Sequence, residues 1–450
     1  MANDSYDVLI LGGGNAGFDV TEPTRAAGLR VAMVEERDLG GTCPNRGCTP
    51  KKVLVAAGHA LHEIGQAHVH GISVSEPTLD WAALIDREKE MIAGIPDTLA
   101  ETLEERGVDL FSDSARFVGR NKVRVGDRTI EAKHIVIATG SRPRPLPIQG
   151  SELMITSDEV LSEREQPGSV VFVGGGVIAL EFSHVYARAG TKVTILEVAS
   201  RLLPERDEDA VAQIRAESEH IGIEVHAGIK VARVERAGNR LRTVFGGNGK
   251  EGSVVSDRVV NGAGRIANVE HLDLDAGGVA HDGFKLTMDE FLRSTSNPSV
   301  YACGDVLSGP PQLSPLATYE GRIVGRNIVE GPKHEPDYAS LPSAVYTVPA
   351  LASVGLTEAQ AREKGLEIKV TVNDMANWFS TRTHAETRAW AKVIVDEESD
   401  KIVGVHIVGH AAADLINIFG LAKKHGITAS RLREFVYAYP SFSADIKYML

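Results

Sequence analysis

Cysteine is scarce in this chain, with three residues in 450, too few for a disulfide scaffold. Aromatic residues make up only 5%, and no apolar run approaches the length of a membrane span. Basic residues are outnumbered, 48 Lys and Arg against 61 Asp and Glu, for a net charge of −13. That balance argues against nucleic acid and anionic membranes as partners. The opening Met1-Ala2-Asn3-Asp4-Ser5 places no basic region before an apolar one. No signal peptide is read, and a cytoplasmic location is expected. Glycine, by contrast, is abundant at 45 residues in a chain that is 43% hydrophobic and 24% charged. The composition is that of a soluble globular protein with room for two to four domains.

Two of the cysteines share one stretch, Gly40-Gly41-Thr42-Cys43-Pro44-Asn45-Arg46-Gly47-Cys48-Thr49-Pro50-Lys51-Lys52. In an intracellular chain such a pair points to metal or redox chemistry rather than to a staple. Zinc would need two further Cys or His ligands at ordered spacing, and none is read nearby, so no metal site is expected. Redox chemistry needs an electron donor close to the sulfurs.

The flanking sequence can hold one. An apolar strand pattern, Tyr6-Asp7-Val8-Leu9-Ile10-Leu11, runs into Gly12-Gly13-Gly14-Asn15-Ala16-Gly17. Gly12, Gly14 and Gly17 satisfy G-x-G-x-x-G between a strand and a helix, where a pyrophosphate can approach the helix N-terminus. A second strand, Val31-Ala32-Met33-Val34, ends at Glu35, placed to accept from a ribose hydroxyl. The unit then repeats. Val170-Val171-Phe172-Val173 leads into Gly174-Gly175-Gly176 and a helix, and Val193-Thr194-Ile195-Leu196 ends at Glu197. Two dinucleotide sites are therefore expected. Glu197 suits the free 2′-hydroxyl of NADH and would repel the 2′-phosphate of NADPH. Arg201 and Arg206 follow and read as surface arginines.

Gly41-Thr42-Cys43 with Cys48, Pro50 and Lys52 resembles the active-site segment of the flavin-dependent pyridine nucleotide-disulfide oxidoreductases, the family of glutathione reductase, dihydrolipoamide dehydrogenase, trypanothione reductase and mercuric reductase. Ala138-Thr139-Gly140, Gly262-Ala263-Gly264-Arg265, Tyr301-Ala302-Cys303-Gly304-Asp305, Leu313-Ser314-Pro315 and Glu320-Gly321-Arg322 resemble its further motifs. Thr347-Val348-Pro349 and Gly404-Val405-His406 resemble its dimerisation domain. The resemblance implies an α/β fold with two Rossmann-like domains, for FAD and NAD, and a C-terminal α+β dimerisation domain. It places FAD binding in residues 1–147, NAD binding in 148–261, a central domain in 262–339 and the dimer interface in 340–450. Leu79 to Arg106 reads as a long amphipathic helical region, and Gly246-Gly247-Asn248-Gly249 as a hairpin turn.

By the same resemblance, electrons would pass from NADH to FAD, to a Cys43–Cys48 disulfide and on to a substrate. Cys48 would lie against the flavin, at the start of a helix that lowers its thiol pKa, and Cys43 would attack the substrate. Lys52 and Glu181 match the family's lysine near the flavin and its partner. Asp305 would hold the ribityl chain, with Gly41, Thr42, Thr139, Gly140 and Gly264 around the cofactors. Cys303 reads as a core residue.

The departures carry as much information. The family's disulfide reductases use a C-terminal His, given by the partner subunit, with a Glu five residues later. Here Tyr439 stands for the His and Ala444 for the Glu, with Asp445 one residue late. An ordinary phenol, with a pKa of about 10, is a poor proton shuttle at neutral pH. Where glutathione reductase presents an arginine to its substrate, this chain has Glu22, with Asp19 one turn earlier. Asp19, Glu22, Tyr437, Tyr439 and Phe442 therefore read as a surface for a cationic or zwitterionic substrate, aromatic faces suiting a quaternary nitrogen. A disulfide whose sulfur leaves without a proton, such as ergothioneine disulfide, meets these conditions. The expectation is a homodimeric, FAD-containing, NADH-dependent reductase of a small disulfide. The rival readings are a metal-ion or general acceptor reductase and a non-catalytic flavoprotein. Mercuric reductase works without the His but also uses a C-terminal cysteine pair, and Lys447-Tyr448-Met449-Leu450 holds none.

Overall fold

The computed structural model describes residues 5–247 and 249–450. The N-terminal reading of residues 1–4 and the Asn248 tip of the expected turn lie outside the described residues. Strands Arg240–Gly247 and Lys250–Ser256 pair antiparallel on either side of that tip.

Contacts divide the chain into two units. One comprises Met1–Lys51, Arg87–Arg144 and Arg265–Tyr338; the other comprises Lys52–Asp86, Pro145–Gly264 and Ala339–Leu450. Lys52–Asp86 falls within the expected FAD segment, yet it joins the second unit for an evident reason. Val53, Leu54, Val55, Trp81, Leu84 and Ile85 pack into one apolar core with Phe172, Leu180 and Tyr186. Trp81 stacks on Tyr186 with centroids 4.9 Å apart and donates to the Glu163 carbonyl at 2.9 Å.

Among the described residues, the first unit builds a seven-stranded sheet. Its parallel part runs Asp109–Ser112, Val31–Glu35, Ser5–Leu11 and Arg128–Ile137, with Val300–Ala302 beside the last. Val8, Leu9, Ile10, Ile135, Val136 and Ile137 are fully buried. Such continuous apolar runs mark parallel strands covered on both faces, and each side chain contributes about 1.5–3 kcal/mol by leaving water. The helix Asn15–Ala26 lies against the helix Ser314–Glu330 at glycines. A Cβ on Gly321 would sit 2.2 Å from the Ala16 carbonyl oxygen, and one on Gly325 would sit 2.3 Å from Pro23. Pro23 thus lies inside its helix, held by packing that outweighs its poor propensity.

The second unit repeats the parallel scheme with Glu224–Ala227, Lys192–Glu197, Ser169–Val173 and Arg258–Asn261. Its C-terminal part is a five-stranded antiparallel sheet carrying the helix Ala412–Lys424. The expected helical region holds two helices, Trp81–Ile92 and Ile95–Glu105, because Gly94 and Pro96 interrupt the first and restart the second. Among the described residues no helix is long and apolar enough to cross a membrane.

Candidate active site

Backbone joins the cysteine stretch to the first fingerprint. Gly40 N donates to the Gly13 carbonyl at 2.9 Å, and Gly40 bridges Gly14 in parallel register. At Gly41, φ is +64° and a Cβ would sit 3.0 Å from Gly14 Cα, so glycine lets the two loops close. Beyond it the short helix Thr42–Arg46 carries Cys43, and the helix Cys48–Gln66 starts at Cys48 as expected. Cys43 is half-buried and Cys48 exposed. A hydrogen bond from Cys48, with others from Ser314 and Asn15, holds the Cys43 thiol down at about 6. Burial and the Asp305 carboxylate pull the other way and lose. Asn15 Nδ2 also donates to Ser314 Oγ. Both residues lie inside recognisable motifs, but their meeting at Cys43 spans the chain and leaves no local signal.

The surroundings of the fingerprint fit FAD. Gly12 has φ +110° and a Cβ there would meet the Ala138 carbonyl oxygen at 2.3 Å; one on Gly17 would meet Gly12 O at 2.1 Å. A Cβ on Gly14 would find nothing nearer than 3.9 Å, which leaves the helix N-terminus approachable. Glu35 closes the turn, accepting from Gly13 N and Arg37 N at 2.8 Å each. Thr139 Oγ1 is buried without a hydrogen-bond partner among the described residues, as expected of a group waiting for a ligand. Burial pushes the Asp305 carboxyl up, against Arg265 and a 3.3 Å hydrogen bond from Ser141. Gly140 turns through φ +69° beside Thr139. Cys303 is fully buried, directly after its strand.

The second fingerprint has the same build. Gly174 has φ +108° with the Gly262 carbonyl oxygen 2.4 Å from a would-be Cβ, while Gly176 stays open and Gly264 turns through φ +93°. Glu197 is buried and accepts from Gly175 N and from Ala199 N. The following arginines are not the free surface groups expected. Arg206 is buried enough to lower its pKa and donates to Ser343 Oγ at 2.5 Å. Arg201 donates to the carbonyls of Leu203, Pro204 and Arg206. Lys52 and Glu181 meet at Tyr346: the ammonium lies 3.9 Å from the ring centroid, and Glu181 Oε1 accepts the Tyr346 N–H at 2.8 Å.

The expected substrate surface is only partly of the predicted kind. Asp19 accepts from Arg322 Nε at 2.8 Å, and Glu22 lies 3.8 Å from the same atom. Two carboxylates thus share one guanidinium. Tyr439 is 78% exposed, whereas the Tyr437 hydroxyl donates to the Leu432 carbonyl at 3.0 Å. Phe442 does not stand free for a ligand. Its ring lies against His384 and His410, 5.1 and 5.6 Å between centroids, because those imidazoles offer it a stacking surface. Asp445 accepts from Ser380 Oγ and lines the same small cavity as Glu386, His410 and Phe442. Among the described residues no group of three or more His, Cys, Asp or Glu could hold a metal ion.

That cavity borders a cluster invisible in sequence. His62 Nε2 and His410 Nδ1 each donate to the buried Glu386 at 3.2 Å. His384 stacks on His410 at 4.9 Å, and His59 meets that ring edge-on at 6.4 Å. Burial would raise Glu386, yet the two imidazoles hold it at about 2, while their partner raises His410. Burial, Lys52 and the neighbouring histidines keep His59 neutral to about 4. The raised His410 adds stability that is complete below 6.5 and fades as pH climbs through its folded value. Glu386→Gln is therefore expected to lower the melting temperature most between pH 5 and 6.5, with the gap narrowing toward pH 8. Thermal melts across that range check it, and a pH-independent gap would contradict it.

Residues 6–321 match the family described as pyridine nucleotide-disulphide oxidoreductase, and residues 341–450 match its dimerisation domain. The chain is 31% identical over 448 residues to a dihydrolipoyl dehydrogenase of Chlamydia muridarum, covering 98% of this chain and 95% of that protein. It is 32% identical over 447 residues to a mercuric reductase of Lysinibacillus sphaericus, covering 99% and 82%. Among solved structures it superposes on the Cu(II) complex of the HOCl-induced flavoprotein disulfide reductase RclA from Escherichia coli. The TM-score is 0.89 at 28% identity, over 99% of this chain and 98% of that one. The chain therefore belongs to the class I pyridine nucleotide-disulphide oxidoreductase family, homodimeric enzymes that bind FAD and a pyridine nucleotide.

Proposed function

We propose that this enzyme is an NADH-dependent reductase of a small zwitterionic disulfide whose sulfur leaves without needing a proton. The observation that carries this is Cys43, held low at about 6 beside Cys48, with Tyr439 where the family has its acid/base His. A thiolate formed without a histidine can attack at neutral pH, but a tyrosine then stands where the family has its proton donor for the departing sulfur. The substrate must supply that ease itself. Mercaptoimidazole thiones such as ergothioneine do so.

The first attack joins Cys43 Sγ to one substrate sulfur and releases the other. Cys48 Sγ then attacks Cys43 Sγ and releases the second, leaving a Cys43–Cys48 disulfide. FAD, when bound, supplies the two-electron link through which NADH restores the dithiol. NADH rather than NADPH is supported by Glu197 and by the engagement of Arg201 and Arg206 elsewhere. The carboxylates of Asp19 and Glu22 around Arg322 support a zwitterion over a plain cation. Tyr439 is the exposed aromatic left to meet a quaternary nitrogen.

NADH oxidation with ergothioneine disulfide, glutathione disulfide, lipoamide and cystine tests the reading. The expected result is a kcat/KM at least about tenfold higher for the thione disulfide. A preference for glutathione disulfide or lipoamide would overturn it. The likeness to a mercuric reductase and to RclA, solved with Cu(II), supports a second reading in which a metal ion is the substrate. Hg(II) and Cu(II) belong in the same panel.

A further inference from the structure

Glu320, on the helix Ser314–Glu330, is a carboxylate only 1% exposed. The next residue, Gly321, sets that helix on the Ala16 backbone, so the carboxyl has a fixed root. Both of its oxygens are engaged. Oε2 accepts from Gly304 N at 2.7 Å, and Oε1 accepts from the Tyr338 hydroxyl at 2.8 Å. Gly304 stands just beyond the strand Val300–Ala302, at φ +79°, immediately before Asp305. Cys303 N, one residue earlier, still donates to the Ile137 carbonyl of the sheet at 3.1 Å. The Gly304 N–H has left that ladder, and Glu320 supplies its acceptor. Tyr338 arrives along the same helix. Asn327 Nδ2 donates to the His334 carbonyl at 2.8 Å, and its Oδ1 accepts from Lys333 N and His334 N at 3.1 and 2.9 Å. Tyr319 Oη accepts from Asp337 N at 2.9 Å. Residues 333–338 thus form a strap laced to the helix, its last side chain closing on Glu320.

We propose that Glu320 and Tyr338 are positioning residues for FAD: the phenol fixes the carboxylate, the carboxylate fixes the Gly304 amide, and the turn so held aims Asp305 at the cofactor. The Asp305 side chain is itself lightly tethered, by a 3.3 Å hydrogen bond from Ser141 and the charge of Arg265, so its backbone must direct it. Burial pushes Glu320 up to about 7, with Asp305 adding to the rise, against the hydrogen bonds from Gly304 and Tyr338. An apolar side chain would fill that place at less cost. What the acid alone gives is a rigid acceptor for the amide beside the ligand. The assignment rests on Asp305 as an FAD ligand and holds whichever substrate the enzyme reduces.

Equilibrium dialysis of the full-length protein against graded FAD gives a Kd for each variant and needs no turnover. Asp305→Ala and Glu320→Ala should each raise it at least about tenfold, and Tyr338→Phe about threefold. Glu320→Gln keeps an oxygen for the Gly304 amide and should stay within about threefold of wild type. Combining Asp305→Ala with Glu320→Ala should not multiply the two effects, because Glu320 acts through Asp305. Circular dichroism verifies folding, and Tyr338→Phe, which loses a single oxygen, decides in the same cycle if Glu320→Ala folds poorly. Effects that multiply overturn the proposal, as would a wild-type Kd in a folded Glu320→Ala or Tyr338→Phe. Equal losses in Glu320→Gln and Glu320→Ala also overturn it, since charge rather than position would then be at work. A wild-type Kd in Asp305→Ala removes the proposal together with the reading of Asp305, whereas a loss confined to Asp305→Ala removes the proposal and leaves that reading.

Discussion

Replacing Cys43 with serine is expected to leave a folded, flavin-binding protein whose kcat/KM for any disulfide falls by at least about a thousandfold. The reason lies in the acidity of the attacking atom. Hydrogen bonds from Cys48, Ser314 and Asn15 bring the Cys43 thiol to about 6, so most of it is ionised at neutral pH. The same environment cannot ionise a serine hydroxyl, which starts far higher. The side chain is half-buried and nearly the same size as its replacement, so packing should survive. Steady-state NADH oxidation with flavin content measured alongside checks the expectation. Disulfide turnover within about tenfold of wild type would mean that electrons leave by another route.

The second large effect belongs to the fingerprint turn. Gly12→Ala is expected to cost roughly 3–6 kcal/mol and to abolish FAD retention, through left-handed strain and a clash together. At φ +110° a Cβ would sit 2.3 Å from the Ala138 carbonyl oxygen. Neither partner can retreat. Gly12 N is bonded to the Val34 carbonyl and Ala138 N to the Leu11 carbonyl, both at 2.8 Å, so three strands fix the contact. Gly28→Ala is the control. It has φ +77° but meets nothing within 4 Å, so only about 1 kcal/mol of strain applies. Thermal melts and bound flavin per chain separate the two, and equal melting temperatures would contradict the argument.

What could be read from sequence was what is local and periodic. The strand read as Tyr6–Leu11 is Ser5–Leu11, and the repeat at Val170–Val173 is Ser169–Val173, because apolar runs ending in glycine have few other solutions. The start of a helix at Cys48 was legible through the resemblance of its segment to the family's. What escaped was long-range pairing. Asp19 and Glu22 look like free acids until the fold brings Arg322 beside them from some three hundred residues away. His59, His62, His384 and His410 show no spacing pattern, and only tertiary structure gathers them on Glu386. Phe442 was read beside Tyr439 by proximity in the chain, whereas its ring follows the histidines. The arginines after Glu197 show the same limit: side-chain reach and burial decide their use, and neither is written in the residue type.

The double engagement of Glu197 constrains how this protein could change over evolutionary time. Its carboxylate accepts from Gly175 N and Ala199 N, so it is part of the turn's framework as well as a cofactor determinant. A lineage drifting toward the phosphorylated coenzyme could not merely discard the acid. It would leave two backbone donors without acceptors, and the nearby guanidiniums are committed elsewhere. The intermediate would be both less stable and still without a cation for the phosphate. Coenzyme choice is thereby tied to fold integrity, and a switch would require several coordinated substitutions to cross a fitness valley.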